Sequence, residues 1–207
     1  MAEQVTVPEE KLLLNKLIHF FYDTAEKLKV LDVNDERPDK LLLKNVEQFM
    51  MWIVMGDEAV SEADCAYFSM ILDKSVTAEY VNAFTAFLRE KRPNFGNELA
   101  ILEPVVASDA LMVDKVLDGS GLAITTGVYS ALAMLGTHLA HLHPESIGGR
   151  ELRLALFMGA YLARIKLEYG NQGALKDFAM RELERIYAQS FAGVVSGGGD
   201  SAANTCF

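Results

Sequence analysis

The sequence predicts an all-α protein: an orthogonal multi-helix bundle of two helical repeats around two central apolar helices, with a disordered C-terminal tail. Three observations carry this expectation. Apolar residues recur at steps of three and four through most of the chain. Strand signals are nearly absent, with few alternating runs and no Asn-Gly or Asp-Gly hairpin between β-branched stretches. Hydrophobic residues make up 51% of the 207 residues and charged ones 23%, which is enough apolar material for a large core.

A first helix is predicted over residues 9–31, with Leu13, Leu17, Phe20, Phe21, Thr24 and Leu28 on one face. Asn34, Asp35 and Pro38 mark residues 32–39 as a linker. The second helix, 40–55, is apolar at Leu42, Val46, Phe49, Met50, Ile53 and Val54. Ser61 is an N-cap followed by acids in the first turn, and it starts a third helix whose stripe is Ala63, Ala66, Tyr67, Met70 and Ile71. A fourth helix begins near Thr77 and ends before Pro93. These form a first half, about residues 9–92.

The pattern restarts in a second half, about 97–190. Residues 97–117 read as a helix bent or broken near Pro104, and 118–121 as a turn. Residues 122–142 form a long apolar helix, 143–149 a loop, and 150–169 another apolar helix ended by Gly170. Residues 174–190 read as a last amphipathic helix. One helical domain is expected over 1–191. The Ser-Gly-Gly-Gly run near the end has little to bury, so 192–207 read as a disordered tail.

The helices 122–142 and 150–169 are the expected centre. The first holds no Asp, Glu, Lys or Arg, and Ala133, Gly136 and Ala140 share a face that lets another helix come close. The second is apolar around most of its circumference, through Leu154, Leu156, Phe157, Tyr161 and Leu162, as a buried helix is. Residues 122–142 are about long enough to span a bilayer. Thr125, Thr126, Thr137, His138 and His141, together with the lack of flanking basic clusters, favour a core helix.

Charge excludes some function classes. The 19 basic and 29 acidic residues give a net charge of −10, which argues against nucleic acid and anionic membrane surfaces. It suits solubility and cationic partners. Cys65 and Cys206 offer neither a disulfide framework nor a zinc spacing, and the polar, acidic residues 1–10 do not read as a signal peptide. A reduced, cytoplasmic setting is the expectation.

Residues 46–72 are an apolar helix, a short polar turn and a second apolar helix, and residues 129–162 repeat that plan. Each turn is followed by an acid, Asp64 and Glu151. The stretch Met51-Trp52-Ile53-Val54-Met55-Gly56-Asp57-Glu58-Ala59-Val60-Ser61-Glu62-Ala63-Asp64 resembles the TerB-like family of tellurite-resistance and related stress proteins. In that family an apolar helix is followed by Asp-Gly-x-Val-Ser-x-x-Glu opening the next helix. Asp57, Val60 and Ser61 match, Asp64 stands where the family has Glu, and Glu58 stands where it has Gly. In the second copy His143-Pro144 replaces Asp-Gly, and Glu151 matches the acidic end. The resemblance implies a helical bundle of two structural repeats. It also implies divalent-cation binding by acidic turn residues in some members, and scaffolding in envelope-associated stress or defence complexes.

Two residue sets are candidate metal ligands. Asp57, Glu58, Glu62 and Asp64 offer carboxylate oxygens for a hard cation. The helix start is the favoured explanation and needs no ion: Ser61 caps the helix, and Glu62 and Asp64 in its first turn complement the helix dipole. The spacing is not that of an EF-hand. His138 and His141, three apart on a helix, combine with His143 into a three-nitrogen transition-metal set, or into a pH-responsive loop. Cys65, next to Asp64, reads as a small core residue rather than a nucleophile. The Asp118-Gly119-Ser120-Gly121 turn is neither a nucleophile elbow nor a phosphate loop. Thr205-Cys206-Phe207 has the form of a tail that adds to a sheet edge of a carboxylate-binding domain, but a disordered end is the favoured reading.

No catalytic constellation emerges. The expected function is a non-enzymatic protein-interaction or scaffold module, with another protein as partner and a divalent cation at the acidic turn. Self-association into a homo-oligomer stays open. The alternative is a metal-dependent enzyme or small-ligand-binding bundle using His138, His141 and His143.

Overall fold

The computed structural model describes residues 7–28, 37–55, 60–91, 109–110, 112–114, 116–117, 123–142, 149–169 and 181. They hold six helices: α1 (Glu9–Leu28), α2 (Pro38–Val54), α3 (Glu62–Leu72), α4 (Ala78–Lys91), α5 (Ala123–His141) and α6 (Gly149–Tyr169). Further helical residues lie between 109 and 117. No strand occurs among the described residues, so the all-α bundle is observed. None of the described helices is long and apolar enough to cross a membrane. The turn at 118–121, the loop at 143–148, most of the expected helices 97–117 and 174–190, and the tail 192–207 lie outside the described residues.

Local chemistry explains where the helices begin. Ser61, with extended backbone, caps α3 through a reciprocal capping box with Asp64. The Thr77 hydroxyl accepts from the Tyr80 amide at the start of α4. The second helix starts two residues earlier than expected, at Pro38 rather than Lys40. Proline reads as a linker residue, yet its fixed φ suits the first position of a helix.

The core is built around α2, α5 and α6. α2 packs against α1, α3, α4, α5 and α6, and α5 packs against α1 and α6. The first helix therefore bridges the two expected halves, which share one core. From Phe49 to Met55 every residue of α2 is buried, so its C-terminal turns are enclosed on all sides. Burying a side chain of this size stabilises the fold by about 1.5–3 kcal/mol. Phe49 and Phe157 bring α2 against α6 with ring centroids 4.6 Å apart, and Trp52 stands 6.3 Å from Phe157. Gly136 on α5 allows the expected close approach: a Cβ there would stand 2.4 Å from Leu154 Cδ1 and 3.2 Å from Phe49 Cζ.

Three helix faces differ from the apolar-stripe expectation. The buried face of α3 is Asp64, Tyr67, Phe68 and Ile71, one residue out of step with the predicted stripe, and Ala63 and Ala66 are exposed. A carboxylate occupies an inward position there, and a count of apolar residues passes over it. On α1, Leu14 is buried while Phe20 is 45% exposed. On α6, Leu152 and Leu156 are 61% and 51% exposed, so this helix is apolar all round without being buried all round.

Candidate functional site

The two helix–turn–helix units meet at a buried ion pair. Arg150, in the first turn of α6, donates from Nη1 to Asp64 Oδ1 at 2.7 Å and from Nη2 to Asp64 Oδ2 at 2.9 Å. Both side chains are essentially inaccessible. The same Nη1 donates to the Leu139 carbonyl at 2.7 Å. That carbonyl belongs to the last turn of α5, where carbonyls have no partner within the helix. Asp64 Oδ2 also accepts from the Ser61 amide at 3.0 Å and the Ser61 hydroxyl at 2.9 Å, and the Ser61 hydroxyl accepts from the Asp64 amide at 3.1 Å. Burial pushes the Asp64 carboxyl up. The Arg150 guanidinium and the Ser61 donors outweigh that and hold it below the usual carboxylate range.

This geometry corrects the reading of Asp64 as a cation ligand. Its oxygens face a guanidinium inside the protein, where a second cation would meet Arg150 head-on. Glu62 is exposed at the start of α3, on a different side of the helix from Asp64. Asp57 and Glu58 lie outside the described residues. Among the described residues, no three His, Cys, Asp or Glu side chains converge as a metal site would require.

The histidine set is also divided. His138 stacks flat on Tyr67, with centroids 4.1 Å apart and planes 4° from parallel. Its Nδ1 lies 3.4 Å from Glu10 Oε1, which also accepts from the Tyr67 hydroxyl at 2.8 Å. Burial and the nearby Glu10 carboxylate push the Tyr67 phenol far above its ordinary value, so it stays protonated and donates. His141 is exposed one turn further on, and His143 lies outside the described residues. Next to Glu10, the buried Lys11 donates to the Ile71 carbonyl and to Asp73 Oδ2 at 2.6 Å. Asp73 ends α3 in the left-handed region at φ 51°, a conformation Asp tolerates better than most residues. A lysine against the last carbonyls of α3 complements the helix dipole.

A second buried acid closes the start of α5. Asp114 accepts from the Ile124 amide at 2.9 Å, the Thr125 amide at 2.7 Å and the Thr125 hydroxyl. Nearby, burial pushes the Asp109 carboxyl up to about 6. Cys65 is half-buried, and burial, then Asp64 and Glu62, raise its thiol above the ordinary value. It is therefore a thiol rather than a thiolate nucleophile.

Sequence reasoning missed Arg150, Glu10, Lys11, Tyr67 and Asp114 as polar anchors. For Arg150 a signal was present: an arginine in the first turn of a helix opposes the dipole, so something outside that helix must hold it. No family model matches the chain, and neither a curated protein nor a solved structure is significantly similar to it.

Proposed function

We propose that the chain is a non-enzymatic protein-interaction module, a scaffold of the kind the TerB-like resemblance implies. The observation that carries this reading is a part-exposed aromatic strip along the α2-facing edge of α4, where the Tyr80 hydroxyl donates to Glu47 of α2 at 2.7 Å and Phe84 packs against the core. Tyr80 and Phe87 are 40% and 52% exposed on a helix that packs chiefly against α2. Phe84, half-buried, lies between them on the same face. Exposed aromatic residues on a helix are typical anchors for another protein. The net charge of −10 favours a partner with a basic rim around an apolar centre. The anchored ionisable groups support the same reading, because Asp64, Arg150, Asp114 and Lys11 hold helix ends rather than lining an open site. A cation at the acidic turn would draw on Asp57, Glu58 and Glu62 without Asp64.

Affinity capture from the native host, with the wild-type chain and Tyr80→Ser/Phe87→Ser as baits, tests the interaction. A partner held by the first bait and lost from the second is the expected result, and identical recoveries would overturn it. Calorimetry with Ca²⁺ and Mg²⁺ tests the cation separately: binding lost in Asp57→Asn/Glu58→Gln supports it, and no heat of binding ends it.

A further inference from the structure

We infer that Glu10, Tyr67 and His138 form a pH-sensitive clasp, which fastens the first turn of α1 to α3 and α5 when His138 carries its second proton and loosens when it does not. The inference does not rest on the α4 strip or on what the chain binds. The start of α1 is built differently from the rest of that helix. Further along, its inward residues are apolar, with Leu14, Leu17 and Phe21 all 3% exposed or less. In the first turn the buried residues are Glu10 and Lys11, while Leu12 is 50% exposed. Polar contacts therefore dock this turn. Lys11 donates to the Ile71 carbonyl and to Asp73 at the end of α3. Glu10 Oε1 accepts from the Tyr67 hydroxyl of α3 and faces Nδ1 of His138 on α5.

A buried carboxylate needs a full set of donors or a cation. Asp64 has Arg150, and Asp114 has two amides and a hydroxyl. Among the described residues, Glu10 has one neutral donor, Tyr67, and one imidazole, His138. Burial, then Glu10 itself, hold the Tyr67 phenol well above its ordinary value, so that donor does not change in the neutral range. The His138 side chain is 43% exposed and in reach of solvent protons, and histidine is the side chain that changes charge between about pH 5 and 8. The other charged groups on the elements packed around it have their own partners. Lys11 of α1 holds Asp73 of α3, Arg150 of α6 holds Asp64 of α3, and Glu47 of α2 accepts from Lys74 and Tyr80. His141 is exposed one turn further along α5. The imidazolium thus supplies the counter-charge that Glu10 otherwise lacks. The sign follows: the tie is complete at low pH and is lost as rising pH removes the proton. The apolar packing from Leu14 onward is untouched, so the response is confined to the start of α1.

A double-mutant cycle on the full chain tests the clasp. Wild type, Glu10→Gln, His138→Phe and the double variant are unfolded in urea at about pH 5.5 and about pH 8, near the two ends of the histidine range. Glutamine keeps an acceptor for Tyr67 and phenylalanine keeps a ring against it, so each change removes chiefly the charge. The coupling between the two sites is expected to be about three- to fivefold in the unfolding constant at the lower pH, the size of a part-exposed ion pair screened by solvent. At the higher pH it should vanish. Any slope from Asp109 is common to all four chains and cancels. Amide exchange of the wild type gives a local reading that needs no variant to fold. With intrinsic rates corrected, opening at Leu13 and Leu14, whose amides close the first turns of α1, should rise by a similar factor from the lower to the higher pH. In His138→Phe it should stay level. A coupling equal at both pH values makes the cluster a fixed contact and overturns the proposal. So does a coupling larger at the higher pH, or α1 opening that rises equally with and without His138.

Discussion

Asp64 and Asp114 are two buried carboxylates that both close the start of a helix, and they are held in opposite ways. Asp114 is satisfied by neutral donors, two amides and a hydroxyl, all within eleven residues of it in sequence. Asp64 caps its own helix through Ser61 and then pairs with a guanidinium 86 residues away. The first is a local device that exists once two neighbouring segments meet. The second exists only when α3, α5 and α6 have all docked. A buried charge with local donors organises a helix end, whereas one with a distant counter-ion ties the fold to a single arrangement of its halves.

The largest effect should come from breaking the distant pair on one side. Arg150→Met leaves Asp64 buried without its counter-ion and is expected to cost about 3–5 kcal/mol in urea unfolding. Asp64→Leu/Arg150→Met removes both charges and should recover most of that loss. A double variant no more stable than Arg150→Met would mean that the hydrogen bonds to Ser61 and Leu139, not the charges, dominate. Asp114→Ala strips acceptors from two amides at the start of α5 and should cost about 1–3 kcal/mol. Its smaller size relative to Arg150→Met is the test of the contrast, and a reversed order would refute it. Ser61→Ala, which removes the capping hydroxyl but leaves the ion pair, should cost about 1 kcal/mol.

The response to pH separates the two acidic regions in another way, because they should respond with opposite sign. Asp64 has its folded value lowered, so its contribution is complete above the unfolded value of 3.8 and is lost as pH falls through the folded one. Asp109 has its folded value raised to about 6 by burial. Its contribution is present below 3.8 and is lost as pH rises through about 6. Urea midpoints measured from pH 3 to pH 7, a range of roughly four units around these values, should fall at both ends. Asp109→Asn should flatten the upper limb alone. An unchanged upper limb in that variant would assign the slope to another group.

How far each feature was legible depended on the range of the interaction behind it. Ser61 and Thr77 announced helix starts because capping is decided within three residues. Gly136 announced a close helix approach because a missing side chain is visible wherever it sits. The inward face of α3 was misread by one position because Asp64 is polar, and its burial depends on Arg150, which no local pattern links to it. The central place of α2 was underestimated for a related reason. Met51 and Trp52 fall off its apolar stripe, and only the packing of helices from both halves shows that the stripe's reverse side is covered too. The candidate ligands were grouped by nearness in sequence, whereas the observed partners of His138 are Tyr67 and Glu10, on two other helices.

Trp52 has a practical consequence. It is the single tryptophan of the chain, 7% exposed, with the Arg153 guanidinium 5.3 Å from its ring centre and Phe157 beside it. Its fluorescence therefore comes from one place, the seam between α2 and α6. A blue-shifted emission should mark the docked state, and a red shift its opening to water. The helix that carries Arg150 and the exposed leucines thus packs its inner side against a built-in optical reporter on α2, which can follow its docking without any added label.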